Sequence, residues 1–267
     1  MRPGKITFGL LLPLAALAAP AASDPTAEAW QLLANYRPDF SLPRFEQLAK
    51  SPADARAARF GEALSLLAQP SPVPDRVRRA KAILTALAAE GADDVALGAR
   101  FYLARLAEFS AEPADPGLAA TEFRRLIVEH PDSAWAQAAV TRLAILLLYT
   151  PAGPAEPAAR LAAAEQLLAP ARQPLAVAEL HLVLADAVFH HGLPDRLALP
   201  HLLAAAQTGA LDPTTRADVL VQIGELSRLG GDAAQASSYY RRFLTEYPRD
   251  ARQFAVRKEL AALGAGK

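Results

Sequence analysis

Apolar side chains recur along this chain with helical spacing, in blocks separated by short polar breaks that carry proline or glycine. Ala27 to Tyr36 places Trp30, Leu33 and Tyr36 on one stripe, and Pro38 is expected to end it. A short helix is predicted from Leu42 to Lys50. The next, Asp54 to Gln69, aligns Ala57, Phe60, Ala63, Leu64 and Leu67. The "PSPVP" run at 70–74 is a loop signal, and Asp75 to Ala89 is helical again, ending at Gly91.

From there the pattern comes in pairs. The pairs are Asp94–Ser110 with Gly117–His130, Ser133–Tyr149 with Glu156–Leu168, Leu175–His191 with Asp195–Thr208, and Pro213–Leu229 with Asp232–Tyr247. Ala251–Leu263 closes the series. Ser133 and Asp212 stand where N-caps belong, and Pro213 suits a first helical turn. Gly192, Gly209 and Gly230 stand where helices should stop.

Two segments are copies of one another. Leu103–Pro131 aligns with Leu220–Pro248 without a gap, and nine of the 29 positions are identical, among them Glu108/Glu225, Asp115/Asp232, Ala119/Ala236, Arg125/Arg242 and Pro131/Pro248. The likeness continues through Ala134/Ala251, Ala138/Ala255 and Leu143/Leu260. A small residue (Ala107 or Gly224), a second small residue (Ala119 or Ala236), an aromatic (Phe123 or Tyr240) and a proline (Pro131 or Pro248) fall at the same offsets in both.

This arrangement resembles the tetratricopeptide repeat family, a helix-turn-helix unit of about 34 residues. The stretches "EHPDSAWAQAA" and "EYPRDARQFAV" are similar to the repeat boundaries of bacterial cell-envelope members. Those members include the periplasmic coordinator of the Tol-Pal system and the repeat lipoprotein of the outer-membrane assembly machine. The likeness covers roughly residues 94–263; this chain lacks the lipoprotein's attachment cysteine and the coordinator's polar coiled coil. The resemblance implies an all-α fold, a right-handed superhelical solenoid of antiparallel helix pairs, with residues 74–267 forming the solenoid and its C-terminal cap, and 24–73 an N-terminal helical segment.

It also implies a protein- or peptide-binding concave face. The family register places Phe101, Glu108, Trp135, Arg142, Asp218, Glu225 and Arg228 on that face, with an aromatic anchor beside charges. The alternative for Trp135 is packing on the neighbouring helix. Arg124–Arg125 and Arg241–Arg242 lie on second helices and are expected to face solvent.

Composition narrows the remaining choices. Of 267 residues, 52% are hydrophobic and 21% charged, which is globular material rich in alanine and leucine. Cysteine is absent, so disulfides, thiolate metal sites and cysteine nucleophiles are excluded. The 28 basic and 28 acidic side chains are interspersed, and no basic patch points to nucleic acid.

The N-terminal stretch "MRPGKITFGLLLPLAALAAPAASDP" has Arg2 and Lys5, an apolar run from Ile6 to Ala19, and small residues at 19–23. That is the layout of a secretory signal peptide over residues 1–23, with an uncleaved anchor as the alternative. The expected location is the periplasm or cell envelope, with no stable membrane span after its removal. Losing Arg2 and Lys5 takes the formal charge from zero to minus two.

No HExxH, G-x-S-x-G, Walker loop or G-x-G-x-x-G occurs. Asp186, His190 and His191 share a helix end, but no third metal ligand follows at a usable spacing; His190 and His191 suit a helix C-terminus. No catalytic, cofactor or metal residues are therefore assigned. The expected function is an exported scaffold or adaptor. A helical enzyme acting on cell-wall polymer and an oligomerising subunit of an envelope complex are the alternatives.

Overall fold

The computed structural model describes residues 25–52, 55–70, 73–109 and 114–265. The signal-like stretch lies outside them. Among the described residues the structure is helical and contains no strand. The chain divides into two compact units that meet in sequence at Ala139 and Val140. The sequence-based boundary at residue 73 falls inside the first.

The first unit contains α1 (Pro25–Ala34), α2 (Pro38–Leu48), α3 (Ala55–Leu67), α4 (Pro74–Ala88), α5 (Asp94–Phe109), α6 (Pro116–Glu129) and the start of α7 (Ala134–Tyr149). Successive helices from α1 to α6 pack on one another. α2 differs from expectation, because it starts at Pro38 and runs through Pro43. Proline fits a first helical turn, where its missing N–H would have no partner anyway, and burial of Phe45 secures the rest. A chain of ring contacts runs Phe45–Trp30–Phe60–Trp135, at centroid distances of 4.8, 6.1 and 5.8 Å.

The second unit contains the rest of α7, then α8 (Pro157–Glu165), α9 (Pro174–His190), α10 (Ala198–Gln207), α11 (Pro213–Leu229), α12 (Ala233–Glu246) and α13 (Gln253–Ala265). The predicted helix 156–168 finishes as a 3-10 turn over Gln166–Leu168, and that at 195–208 begins with one over Asp195–Leu197. Successive helices from α8 to α13 pack on one another. α9 is apolar around most of its circumference, as a helix packed between α8 and α10 must be.

The repeated residues have assignable physical jobs. Asp115 and Asp232 are N-caps, accepting from Leu118 N and Gln235 N at 2.8 and 2.9 Å. Ala119 and Ala236 are fully buried where second helices cross first ones. Arg125–Glu129 and Arg242–Glu246 are i,i+4 ion pairs. The turns entering the next helix also match: Ser133 N donates to His130 O at 2.9 Å, and Asp250 N to Tyr247 O at 3.1 Å. One expected stop shifts by a residue. Gly230 stays right-handed, and Gly231 takes the positive φ of 83° that reverses the chain.

Candidate functional site

The seven positions assigned to a binding face are mostly engaged within the protein. Phe101, on α5, is 3% exposed. Its ring lies 5.4 Å from Phe123 and 5.5 Å from Trp135. Trp135, at the start of α7, is half-buried, and its indole N–H donates to Asp94 Oδ1 at 2.9 Å. Gly98 makes room for it, since a Cβ there would come within 2.8 Å of the indole. Of the two readings of Trp135, an exposed anchor or packing on the neighbouring helix, the contacts match the second: these rings join α5 to the start of α7. Apolar area this large is worth more against a neighbouring helix than against water.

Glu108 follows the same rule. Its side chain is 5% exposed and accepts from Arg105 Nη1 at 2.9 Å. Arg142, on α7, is half-buried. Its charge pulls against the burial that raises the Glu179 carboxyl above its usual range.

Asp218, Glu225 and Arg228 form one stripe of α11. Asp218 accepts from Arg252 at 2.5 Å, and Arg252 is also held by Asp250 at 2.7 Å. Arg228 donates to Glu225 at 2.6 Å and reaches Glu259 of α13 at 3.4 Å. The Tyr240 hydroxyl donates to Glu225 at 3.0 Å. The Arg228 guanidinium holds Glu225 below its ordinary pKa, and Arg252 holds Asp250 down at about 2. These carboxylates are matched by cations of the chain itself. α13 and the turn before it stand where a following repeat would begin, and these pairs link α11 to them while the Asp218 and Glu225 side chains stay 44% and 43% exposed.

An open apolar surface lies elsewhere. A groove of about 530 Å³ runs between α4 and α6 over the exposed side of α5. Leu103, Leu106 and Ala107 form its floor; Val77 and Thr85 stand on the α4 wall, and Leu118, 50% exposed, on the α6 wall. Lys81, Arg100, Glu122 and Arg125 mark its rim. Sequence reasoning missed this groove because its residues come from three helices and carry no motif.

The histidines resolve into two arrangements. His190 and His191 pack around Tyr149, at ring distances of 4.9 and 5.8 Å. Asp186 accepts from the Tyr149 hydroxyl at 2.9 Å, and burial pushes that phenol well above its ordinary pKa. The second arrangement was invisible to sequence spacing. His181 Nδ1 of α9 and His201 Nδ1 of α10 are 3.0 Å apart, and His201 Nε2 lies 3.3 Å from Glu165 Oε1 at the end of α8. The ring centroids are 5.3 Å apart, so the two nitrogens meet head-on with room for one proton between them. Burial first, and the neighbouring His201 second, bring His181 down to about 4; burial also lowers His201, against the pull of Glu165. Among the described residues no group of three or more His, Cys, Asp or Glu side chains could hold a metal ion, and no helix is long and apolar enough to cross a membrane.

No curated protein matches the chain at a significant level. Residues 218–250, from α11 through the turn that follows α12, match the tetratricopeptide repeat model, which supports that family for this helix pair.

Proposed function

We propose that this chain is an exported, non-catalytic scaffold of the bacterial cell envelope that binds segments of other proteins. The observation that carries the reading is the pair of gap-free helix-turn-helix copies, one of which matches the tetratricopeptide repeat model. Stacked helix pairs bury a shared core and leave long grooves between neighbouring helices, which are suited to holding a peptide or helix. The open groove over α5 is the surface we assign to that role, because the stripe on α11 is occupied by the chain's own ion pairs. The envelope assignment rests on the charged, apolar and small-residue order of residues 1–23.

The test combines export and capture. The full chain, tagged at its C-terminus and expressed in a bacterial host, is fractionated and its N-terminus sequenced. A new N-terminus between residues 20 and 25 in the periplasmic fraction supports export; an intact Met1 in the cytosol overturns it. Crosslinked capture from envelope extracts should recover a defined protein at constant stoichiometry, and recovering none overturns the scaffold reading.

A further inference from the structure

The two copies treat the same positions differently. Leu220 of the second copy is fully buried, in one cluster with Phe243 and Val256. Leu103, its counterpart, is only half-buried and lies open on the groove floor. The side chains corresponding to Phe243 and Val256 are the smaller Leu126 and Ala139. Ile223 is fully buried, whereas its counterpart Leu106 retains 7% exposure at the groove. A surface sealed in one repeat is thus left open in the other, with an apolar floor.

The shape and chemistry specify what would fill it. The α4 wall from Val77 to Ala88 is roughly 16 Å long at about 1.5 Å per helical residue, which matches about three turns of a helix. The groove walls and floor are helices whose backbone groups are already paired, so an extended segment would find no sheet edge to bond. A helix brings its own backbone bonds and needs only an apolar face. The rim then sets the charge. Lys81 lines the groove and makes no ion pair among the described residues. Arg100 donates to neutral acceptors, Gly91 O at 2.7 Å and Ala88 O at 3.3 Å, so its charge is not cancelled by a carboxylate. Arg125 lies 3.5 Å from both Glu122 and Glu129, so its charge is offset and the uncompensated rim cations are Lys81 and Arg100. The rim is therefore net positive.

We infer that the groove receives a short amphipathic helix of a partner protein, apolar along one face and flanked by Asp or Glu. This rests on the scaffold reading above and names the chemistry of its partner.

The experiment uses the folded full chain and a yeast-displayed library of helix-forming peptides about four turns long. Leucines are fixed at i, i+4 and i+7, and the flanking positions vary among Glu, Gln and Lys. Selection should enrich Glu at the flanks. Binding of the selected peptides should weaken roughly three- to tenfold with Lys81→Glu, and that variant should shift selection toward Lys. Leu118→Glu, an exposed change on the α6 wall, should weaken binding more than tenfold. Circular dichroism checks that both variants fold as the parent does. Enrichment of Lys, an absence of binders, or binders indifferent to both substitutions would overturn the inference. The capture experiment keeps the two readings apart. An envelope protein retained equally by the parent and by Leu118→Glu leaves the scaffold intact and overturns the groove assignment. Glu-rich binders with no captured protein support the groove chemistry and overturn the scaffold.

Discussion

Asp218 and Arg252 form an ion pair at the repeat positions where Phe101 and Trp135 pack ring against ring in the other copy. The contact joins the first helix of a unit to the start of the next helix pair in both cases. One copy makes it with desolvated aromatic area, the other with charges at the surface.

These two solutions should differ in strength. Phe101→Ala removes a 3%-exposed ring and should destabilise the first unit by about 3–5 kcal/mol. Asp218→Ala removes a partly exposed carboxylate whose cation keeps Asp250, and should cost under about 1 kcal/mol. Urea midpoints for the two variants check the contrast. Equal losses would mean that the ion pair carries far more than its exposure allows.

Gly224 makes a second contrast. A Cβ there would lie 2.4 Å from the Tyr240 ring, and that ring is buried and cannot swing away. Helix propensity favours alanine by about 1 kcal/mol, while overpacking costs about 1–3 kcal/mol. Gly224→Ala should therefore be net destabilising by about 1 kcal/mol. In the first copy Ala107 already coexists with Phe123 at the equivalent positions. Combining Gly224→Ala with Tyr240→Phe should not restore the loss, because it also removes the hydroxyl bond to Glu225. Thermal melts of the single and double variants measure this.

The His181–His201 pair predicts acid sensitivity in the second unit. His181 is held at about 4 in the folded state, below its ordinary 6.5. The unfolded chain therefore binds the proton first, and the stabilisation present above about pH 6.5 is lost as pH falls toward 4. The neutral pair is satisfied when His201 Nε2–H donates to Glu165 and His181 Nδ1–H donates to His201, whereas two protonated rings would set two N–H groups head-on. Glu179 acts in the opposite sense, since its raised pKa makes the folded state take up its proton first. The comparison that isolates the histidine is wild type against His181→Gln. The variant should show a flatter urea midpoint between pH 6.5 and 4; a parallel curve would sink the assignment.

The N-cap aspartates should behave alike despite their different units. Asp115→Ala and Asp232→Ala should each cost about 1 kcal/mol, and the corresponding asparagines much less. Hydrogen exchange at the first turns of α6 and α12 would show the local loss directly.

The helices themselves were legible in sequence. Their apolar stripes, N-cap aspartates and prolines are local signals, read within a few residues of where they act. The repeat was legible too, because it only requires comparing the chain with itself. The departures were local, as when α2 ran through Pro43 with Phe45 buried beyond it, or when the stop moved from Gly230 to Gly231.

The surroundings of the residues expected on a binding face were not legible. Family register placed Phe101, Glu108 and the α11 stripe on an open face, but whether a side chain meets water or a neighbour depends on residues far along the chain. Trp135 covers Phe101 from 34 positions away, and Arg252 reaches Asp218 across the same interval. His181 and His201 meet 20 residues apart on facing helices, at a spacing that signals nothing by itself. The groove over α5 is also a product of assembly, since Leu103 and Leu220 occupy the same repeat position and only one is sealed. Sequence determined the helical unit and its repetition, since both follow from short-range backbone and side-chain preferences. Tertiary packing decided which copies of the same surface were closed and which was left open, because burial depends on the size and distance of neighbours that no local pattern encodes.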